Sequence, residues 1–181
     1  MIYSLIGYYS LIFGLIFGLI LFYLSYKNFK NSILLDNKII VFSFLQFFFV
    51  IVSFFSLIFS FVVSDFSNVT VFNNSHTTKP LFYKISGTWG NHEGSLLLWL
   101  LVLTLFIFIF LVRAKNQSVK YRILTLVFQQ VIIIGFFIFL IKTSNPFNYL
   151  FPIPNEGLGL NPILQDPALA IHPPILYLGY V

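Results

Sequence analysis

The sequence lacks cysteine and has few charged residues, and each scarcity excludes a class of protein. With no thiol among its 181 residues, the chain has no disulfide, no thiolate metal site and no thiol nucleophile. Only 8% of the residues are charged and 59% are hydrophobic. This composition and the mean hydropathy of +0.94 exclude a soluble globular domain. They predict an all-α integral membrane protein that lies in the lipid bilayer.

The formal charge of +5 does not indicate a nucleic-acid-binding protein. The Lys and Arg residues form no basic stripe of the kind that follows a phosphate backbone. They fall instead in polar segments beside apolar runs, where basic residues mark the cytoplasmic side of a membrane protein. We therefore expect no nucleic-acid partner.

Four long apolar runs and the start of a fifth define the predicted architecture. They form one transmembrane region over residues 1–181, with spans at about 2–26, 39–63, 94–112, 123–141 and 167–181. A hydrocarbon core of about 30 Å needs about 20 helical residues, and the first four runs reach that length. The apolar part of the fifth, Ala168 to Val181, makes only about 21 Å of helix. We expect another polypeptide or further sequence to complete it.

The distribution of basic residues predicts the topology. Seven of the ten Lys and Arg residues lie in two short connections, 27–38 and 113–122, and three lie in the longer connections 65–93 and 142–165. Because basic residues favour the inner side, the short connections are predicted to face inward. Both long connections and the N-terminus then face outward.

Small and polar residues inside the spans predict contacts between helices. In the first span, Ser, Gly and Leu residues recur at steps of three and four on one helix face: Ser4, Gly7, Leu11, Gly14, Gly18, Leu21 and Ser25. Gly14-x-x-x-Gly18 is typical of close helix packing, the alternative being an ordinary lipid-facing surface. In the fourth span, Gln129 and Gln130 are predicted to form hydrogen bonds between helices.

Three histidines are the candidates for metal or proton chemistry. His92 and Glu93 follow Trp89 in a glycine-containing turn and could bind a ligand or a metal, but neighbouring residues do not share a helix face. A solvated turn at the membrane surface is the alternative. His76 lies in a polar connection and is predicted to be a surface histidine.

The third histidine, His172, lies in the last apolar run, next to Pro173 and Pro174. Asp166 and Pro167 predict the start of this helix, because Asp is a favoured N-cap and Pro a favoured first helical residue. A histidine at membrane depth is costly and indicates function. No acidic residue lies inside a span to form a proton relay, so structural and metal-ligand roles remain open, and haem iron is the metal that a single imidazole suits best. The prolines should bend the helix and free nearby carbonyls, which is tolerated where the helix packs against protein or lines a site.

Two blocks of sequence resemble the N-terminal region of the CcmF haem lyase family. They are Trp89-Gly-Asn-His-Glu-Gly-Ser-Leu-Leu-Leu-Trp99 and residues 160–181, with Thr143-Ser-Asn-Pro-Phe147 between them. Asn91 occupies a position where many members of the family have glycine. Together with five spans in the same order, the resemblance covers almost the whole chain.

The resemblance implies a membrane subunit of the haem lyase of cytochrome c maturation. Such an enzyme takes haem from a CcmE-type haem chaperone and joins the haem vinyl groups to the thiols of apocytochrome c. The family also holds haem b in the membrane, and the resemblance makes His172 an axial ligand of its iron. The other matching residues are candidates for its surroundings: Trp89, His92, Glu93, Asn161, Gln165, Asp166, Pro173 and Pro174.

The chain is not expected to be a complete enzyme. In the family, the Trp-rich segment that handles substrate haem and the second ligand of the membrane haem belong to later sequence. We therefore expect a split gene or a fragment, with the remaining CcmF polypeptide as a partner in the lipid bilayer. A non-catalytic scaffold is one alternative. A hydrophobic subunit of a respiratory complex is another, although it would require charged residues inside the spans.

The abundance of Phe, Ile, Lys and Asn is typical of an A+T-rich genome such as that of an organelle. We therefore predict the mitochondrial inner membrane, with a bacterial inner membrane as the alternative. The long connections would face the intermembrane space or the periplasm.

Overall fold

The computed structural model describes residues 1–31 and 37–181 as a helical bundle. Its helices are α1 Ile2–Asn31, α2 Asn37–Val62, α3 Val69–Asn74, α4 Leu81–Gly87, α5 His92–Arg113, α6 Val119–Lys142 and α7 Pro167–Tyr180, with a 3-10 turn at Pro162–Gln165. Helices α1, α2, α5 and α6 are long and apolar enough to cross a membrane. The predicted all-α membrane fold with four long spans is confirmed. Helix α7 corresponds to the shorter, fifth apolar run predicted at 167–181.

The helices extend beyond the apolar runs from which they were predicted. Helix α1 continues past residue 26 to Asn31, and α6 begins at Val119, before residue 123. Lys and Arg are good helix formers, so the basic residues next to the apolar runs continue the helices. The rest of the first short connection, residues 32–36, lies outside the described residues.

The four long helices form a closed ring in which α1 and α5 each pack against α2 and α6. The predicted packing face of α1 is confirmed, because all seven of its residues are buried. A Cβ atom on Gly14 would lie 2.9 Å from the Phe137 ring, and one on Gly18 would lie 2.4 Å from Gln46 Nε2. The two glycines therefore let α1 approach its neighbours closely.

The two glutamines predicted to bond between helices behave differently. Gln130 is fully buried and exchanges two hydrogen bonds with Gln46 of α2, at 3.2 and 3.0 Å. Gln129 is half-buried at the surface of the bundle, and its amide has no hydrogen-bond partner in the described part of the chain. The prediction is thus confirmed for Gln130, whereas Gln129 forms no such bond within the described part of the chain. Consecutive helical residues point about 100° apart, so only one of the two faces the core.

The two long connections pair with each other at one end of the bundle. Backbone hydrogen bonds run from Val69 N–H to Asn148 O at 2.9 Å and from Leu158 N–H to Phe72 O at 2.8 Å. The buried Asn68 side chain caps α3 and donates to Pro146 O at 2.9 Å. The first connection is also more ordered than predicted, since it contains α3 and α4. The compartment that this end faces remains a prediction.

An exposed carboxylate joins the same two connections. Glu156 accepts hydrogen bonds from the Thr77 backbone N–H, at 2.9 Å, and from the Thr77 hydroxyl. These bonds, the hydroxyl bond foremost, lower the pKa of Glu156 to about 2. His76 lies 3.8 Å from this carboxylate and 2.9 Å from the Thr78 hydroxyl. His76 is a partly exposed residue of the connection, as predicted.

Candidate functional site

The start of α7 is built by three of the predicted site residues. Asn161 Oδ1 accepts the Ile163 N–H at 3.0 Å, which begins the 3-10 turn, and Gln165 Nε2 donates to Leu160 O at 3.1 Å. Asp166 Oδ1 accepts the backbone N–H groups of residues 168 and 169 at 2.8 and 3.1 Å. Asp166 is therefore the predicted N-cap. In the described structure these three side chains shape the backbone that leads into α7.

The His172 side chain is exposed on α7. It lines a shallow groove with Ile175, Leu176, Gly179 and Tyr180. No side chain or backbone group of residues 1–31 or 37–181 forms a hydrogen bond with its imidazole. A structural role that depends on a hydrogen bond within this chain therefore has no support in the described residues.

Helix α7 is continuous from Pro167 to Tyr180 despite its internal prolines. The predicted disturbance by Pro173 and Pro174 affects hydrogen bonding, because neither residue has an N–H to donate to the carbonyl four residues earlier. Trp89 Nε1 donates instead to one of these two carbonyls, Ala170 O, at 2.8 Å. The indole N–H of Trp89, which lies in the first long connection, thus replaces the missing N–H of Pro174.

Both tryptophans of the chain attach α7 to the bundle. Trp99 of α5 stacks on Tyr177 with ring centroids 5.5 Å apart, and Trp89 stacks on Phe54 of α2 at 6.4 Å. Tyr177 and the Trp89-bound residue 170 are seven positions apart and lie on one helix face, whereas His172 points about 200° away from residue 170. The two anchors therefore turn His172 away from the bundle.

A tight turn before α5 holds Trp89. The Asn91 side chain accepts the Gly94 N–H at 2.8 Å and donates to Gly87 O and Thr88 O at 2.7 and 3.1 Å. A Cβ atom on Gly94 would lie 1.6 Å from Thr88 O, so only glycine fits there. Asn91 thus has a clear role as the N-cap of α5, whereas the sequence shows only that it differs from the glycine common in the family.

His92 and Glu93 form the first turn of α5. His92 is exposed, its Nδ1 lies 3.3 Å from the Ser144 hydroxyl, and its ring meets Phe139 of α6 edge-on at 6.4 Å. Glu93 is half-buried at the helix N-terminus, where a negative charge is favourable. In the described residues neither a hydrogen bond nor a ring contact joins His92 to His172. His92 therefore faces α6, while α7 packs against α5 and α4.

The groove on α7 suits one axial ligand of a haem iron. It offers one imidazole nitrogen donor beside apolar side chains, and iron in a haem takes an axial imidazole. The described residues contain no group of three or more His, Cys, Asp and Glu residues that could hold a metal ion. In the described part of the chain, this groove would therefore offer a haem one imidazole, that of His172.

Sequence reasoning did not find how α7 is anchored. Pro174 itself carried a signal, because it leaves the carbonyl of Ala170 without its helical donor. Only two indole groups in the chain could supply such a donor. The stacking of Trp99 on Tyr177 carried no comparable signal, because nothing in the sequence shows which side of α5 the last helix covers.

The chain is similar to proteins of cytochrome c assembly. A family model described as "Cytochrome C assembly protein" matches residues 89–181. The cytochrome c-type biogenesis protein CycK of Rhizobium meliloti (strain 1021) is 53% identical over 129 residues, which are 71% of this chain and 19% of that protein. The cytochrome c-type biogenesis protein CcmF of Escherichia coli (strain K12) is 42% identical over 142 residues, or 78% of this chain and 22% of that protein.

A solved structure, cytochrome c heme lyase CcmF, matches with a TM-score of 0.79 and 25% identity, and covers 98% of this chain and 28% of that chain. The chain spans about a fifth of the length of the curated relatives that it matches. The family match, the relatives and the fold agree with the resemblance noted in the sequence. The chain therefore belongs to the cytochrome c assembly protein family, as a CcmF-type member.

Proposed function

We propose that this chain is a membrane subunit of the haem lyase of cytochrome c maturation and that His172 is an axial ligand of a haem b in the membrane. The lyase would transfer haem from a CcmE-type chaperone to apocytochrome c. Family membership supports the process, because the relatives are named as cytochrome c biogenesis proteins. The remaining CcmF polypeptide would supply the second ligand and the segment that handles substrate haem.

The observation that carries the proposal is the environment of His172. Its imidazole has no hydrogen-bond partner in the described residues and lies in an apolar groove on a helix that two tryptophans fix to the bundle. An unpaired imidazole in a membrane helix is costly, and coordination to a metal would remove that cost. A bound haem iron would supply one-electron chemistry.

The other candidate residues have positioning roles in this proposal. Trp89 fixes α7 through Ala170, and Asp166 fixes the point at which the helix starts. Ile175 and Leu176 beside His172 would keep water away from a group bound there. His92 and Glu93 lie at the end of the bundle that carries the long connections, and we propose that they belong to the wider surroundings of the haem.

We further propose that the chain works in the mitochondrial inner membrane, with the long connections in the intermembrane space. The abundance of Phe, Ile, Lys and Asn, which is typical of an A+T-rich genome such as that of an organelle, supports this location. A bacterial inner membrane is the alternative, and the bacterial relatives are consistent with it. Cysteine labelling in isolated organelles would distinguish the two sides of the membrane.

Complementation tests the proposed function. Cells depleted of the chain receive the wild type, His172→Ala or His76→Ala, and covalently bound haem in c-type cytochromes is measured on denaturing gels. We expect the wild type and His76→Ala to restore it, and His172→Ala to fail although its level in the membrane stays near normal. Normal cytochromes in depleted cells would refute a role in maturation. Restoration by His172→Ala would favour the alternative in which the chain is a non-catalytic scaffold.

A further inference from the structure

A groove at the surface of the bundle between α5 and α6 is distinct from the surroundings of His172. We call it the α5–α6 groove. It is lined by Phe106, Ile107 and Phe110 of α5, by Thr125 and Gln129 of α6, and by Val181 after the end of α7. Most of its surface is apolar, and its two polar side chains lie four residues apart on one face of α6.

Gln129 makes this groove unusual for a surface in contact with lipid. It lies about 15 Å along α6 from Val119 and about 20 Å from Lys142 at 1.5 Å per residue, which is near the middle of the span. Neither the Gln129 amide nor the Thr125 hydroxyl has a hydrogen-bond partner in the described part of the chain. Acyl chains offer neither donors nor acceptors, so a polar group at this depth is costly unless protein satisfies it.

The neighbouring residue shows how the bundle treats the same side chain elsewhere. Gln130 points into the ring and exchanges two hydrogen bonds with Gln46. A glutamine in the middle of a span can thus bridge two helices, as polar residues in membrane helices often do. Gln129 has the same side chain at nearly the same depth, but in the groove the α5 residues beside it are apolar and no described residue forms a hydrogen bond with its amide.

We infer that the α5–α6 groove binds a transmembrane helix of the partner polypeptide, and that this helix carries an Asn, Gln, Ser or Thr side chain that bonds to Gln129. A helix is the element that satisfies its own backbone in hydrocarbon, so it needs to offer only one side-chain group. The groove is also continuous with the surface that α7 covers on α5, because Val181 forms part of its lining. The identity of the partner rests on the proposed function, while the groove and its unpaired amide do not.

Photocrosslinking in intact membranes tests this inference. The chain has no cysteine, so a benzophenone maleimide can be attached to one introduced cysteine, either Phe106→Cys in the groove or Phe128→Cys as a control. Phe128 is 65% exposed on α6 and does not line the groove. We expect the probe at 106 to label an apolar span of the partner polypeptide that contains an amide or hydroxyl side chain. The probe at 128 should label mainly lipid.

Substitution of the polar residue tests the hydrogen bond itself. Gln129→Leu should lower the yield of the adduct from position 106 by about three- to twentyfold, the range expected for one hydrogen bond between membrane helices. Phe128→Leu should leave the yield unchanged, and equal levels of both variants in the membrane show that the chain still inserts. His76→Ala, at a residue outside both the groove and the proposed haem site, should also leave it unchanged. The yield of the adduct is measured without reference to haem, so failure of the proposed function would not imitate loss of the contact.

Three results would overturn the inference. They are labelling of lipid alone from position 106, labelling of a second copy of this chain, and an adduct whose yield does not respond to Gln129→Leu. The first would make the groove a lipid site, the second a homodimer interface, and the third would remove Gln129 from the contact.

Discussion

The hydrogen bond from Trp89 to the Ala170 carbonyl should be needed only because Pro174 is present. Trp89→Phe removes the indole N–H and keeps an aromatic ring beside Phe54. It leaves Ala170 O, in a residue that is 4% exposed, without its 2.8 Å donor. An unsatisfied buried carbonyl costs about 1–3 kcal/mol. Docking of α7 should weaken by that amount.

Pro174→Ala should rescue this variant. Alanine restores an N–H at position 174, which can donate to the carbonyl of residue 170 in the ordinary helical pattern. In the Pro174→Ala background, Trp89→Phe should therefore cost less than about 0.5 kcal/mol. The difference between the two backgrounds is the coupling energy between the indole and the proline.

Hydrogen exchange measured by mass spectrometry gives the required local free energy. The purified assembly is followed through peptides that cover α7, whose opening lowers the protection of its amides. Trp89→Phe should lower that protection about 5- to 150-fold, and the same substitution with Pro174→Ala should lower it less than about threefold. Peptides from α1 serve as the control and should not change. An equal loss in both backgrounds would refute the proposed compensation, and no loss in either would show that the indole bond does not hold α7.

Three further predictions follow from the turn, the topology and the connections. Gly94→Ala should destabilise the protein by about 3 kcal/mol or more, because its Cβ would lie 1.6 Å from a backbone oxygen; Gly135→Ala, with open space around it, should shift a thermal melt little. Cysteines at the exposed Asn73 and Asn116 should react with an impermeant maleimide from opposite sides of the membrane, and reaction of both from one side would contradict the topology. The pKa of Glu156 is lowered from 4.5 to about 2, so its contact with the first connection should be complete above about pH 4.5 and be lost as the pH falls through about 2. Glu156→Gln should remove this pH dependence from the protection of the first long connection against hydrogen exchange. If the pH dependence persists in the variant, another group is responsible for it.

Much of the bundle could be predicted because a membrane allows few alternatives. Apolar runs long enough to cross it must be helical, and the spacing of small residues around Gly14 identified the buried face of α1. The N-cap at Asp166 was equally local, since capping depends on neighbouring residues. These features depend on sequence patterns within one continuous segment of the chain.

Contacts between distant segments could not be predicted. Gln129 and Gln130 could not be distinguished from the sequence, because the rotation of α6 depends on how all four long helices pack. The partner of Trp89 lies 81 positions away in the chain. The short helices of the first connection owe their position to pairing with the second, as at Asn68 and Asn148, and neither segment carries the hydrophobic periodicity of a buried helix.

The visible absorption spectrum of the assembled complex tests the central claim most directly. The complex is purified with the wild-type chain, with His172→Ala or with His76→Ala, and reduced-minus-oxidised spectra are compared at equal protein content. We predict that His172→Ala abolishes or strongly weakens the low-spin b-haem signal, because the proposed axial imidazole is lost, while His76→Ala retains it. A b-haem signal in the His172→Ala complex that equals that of the wild type would contradict the assignment of His172 as a haem ligand.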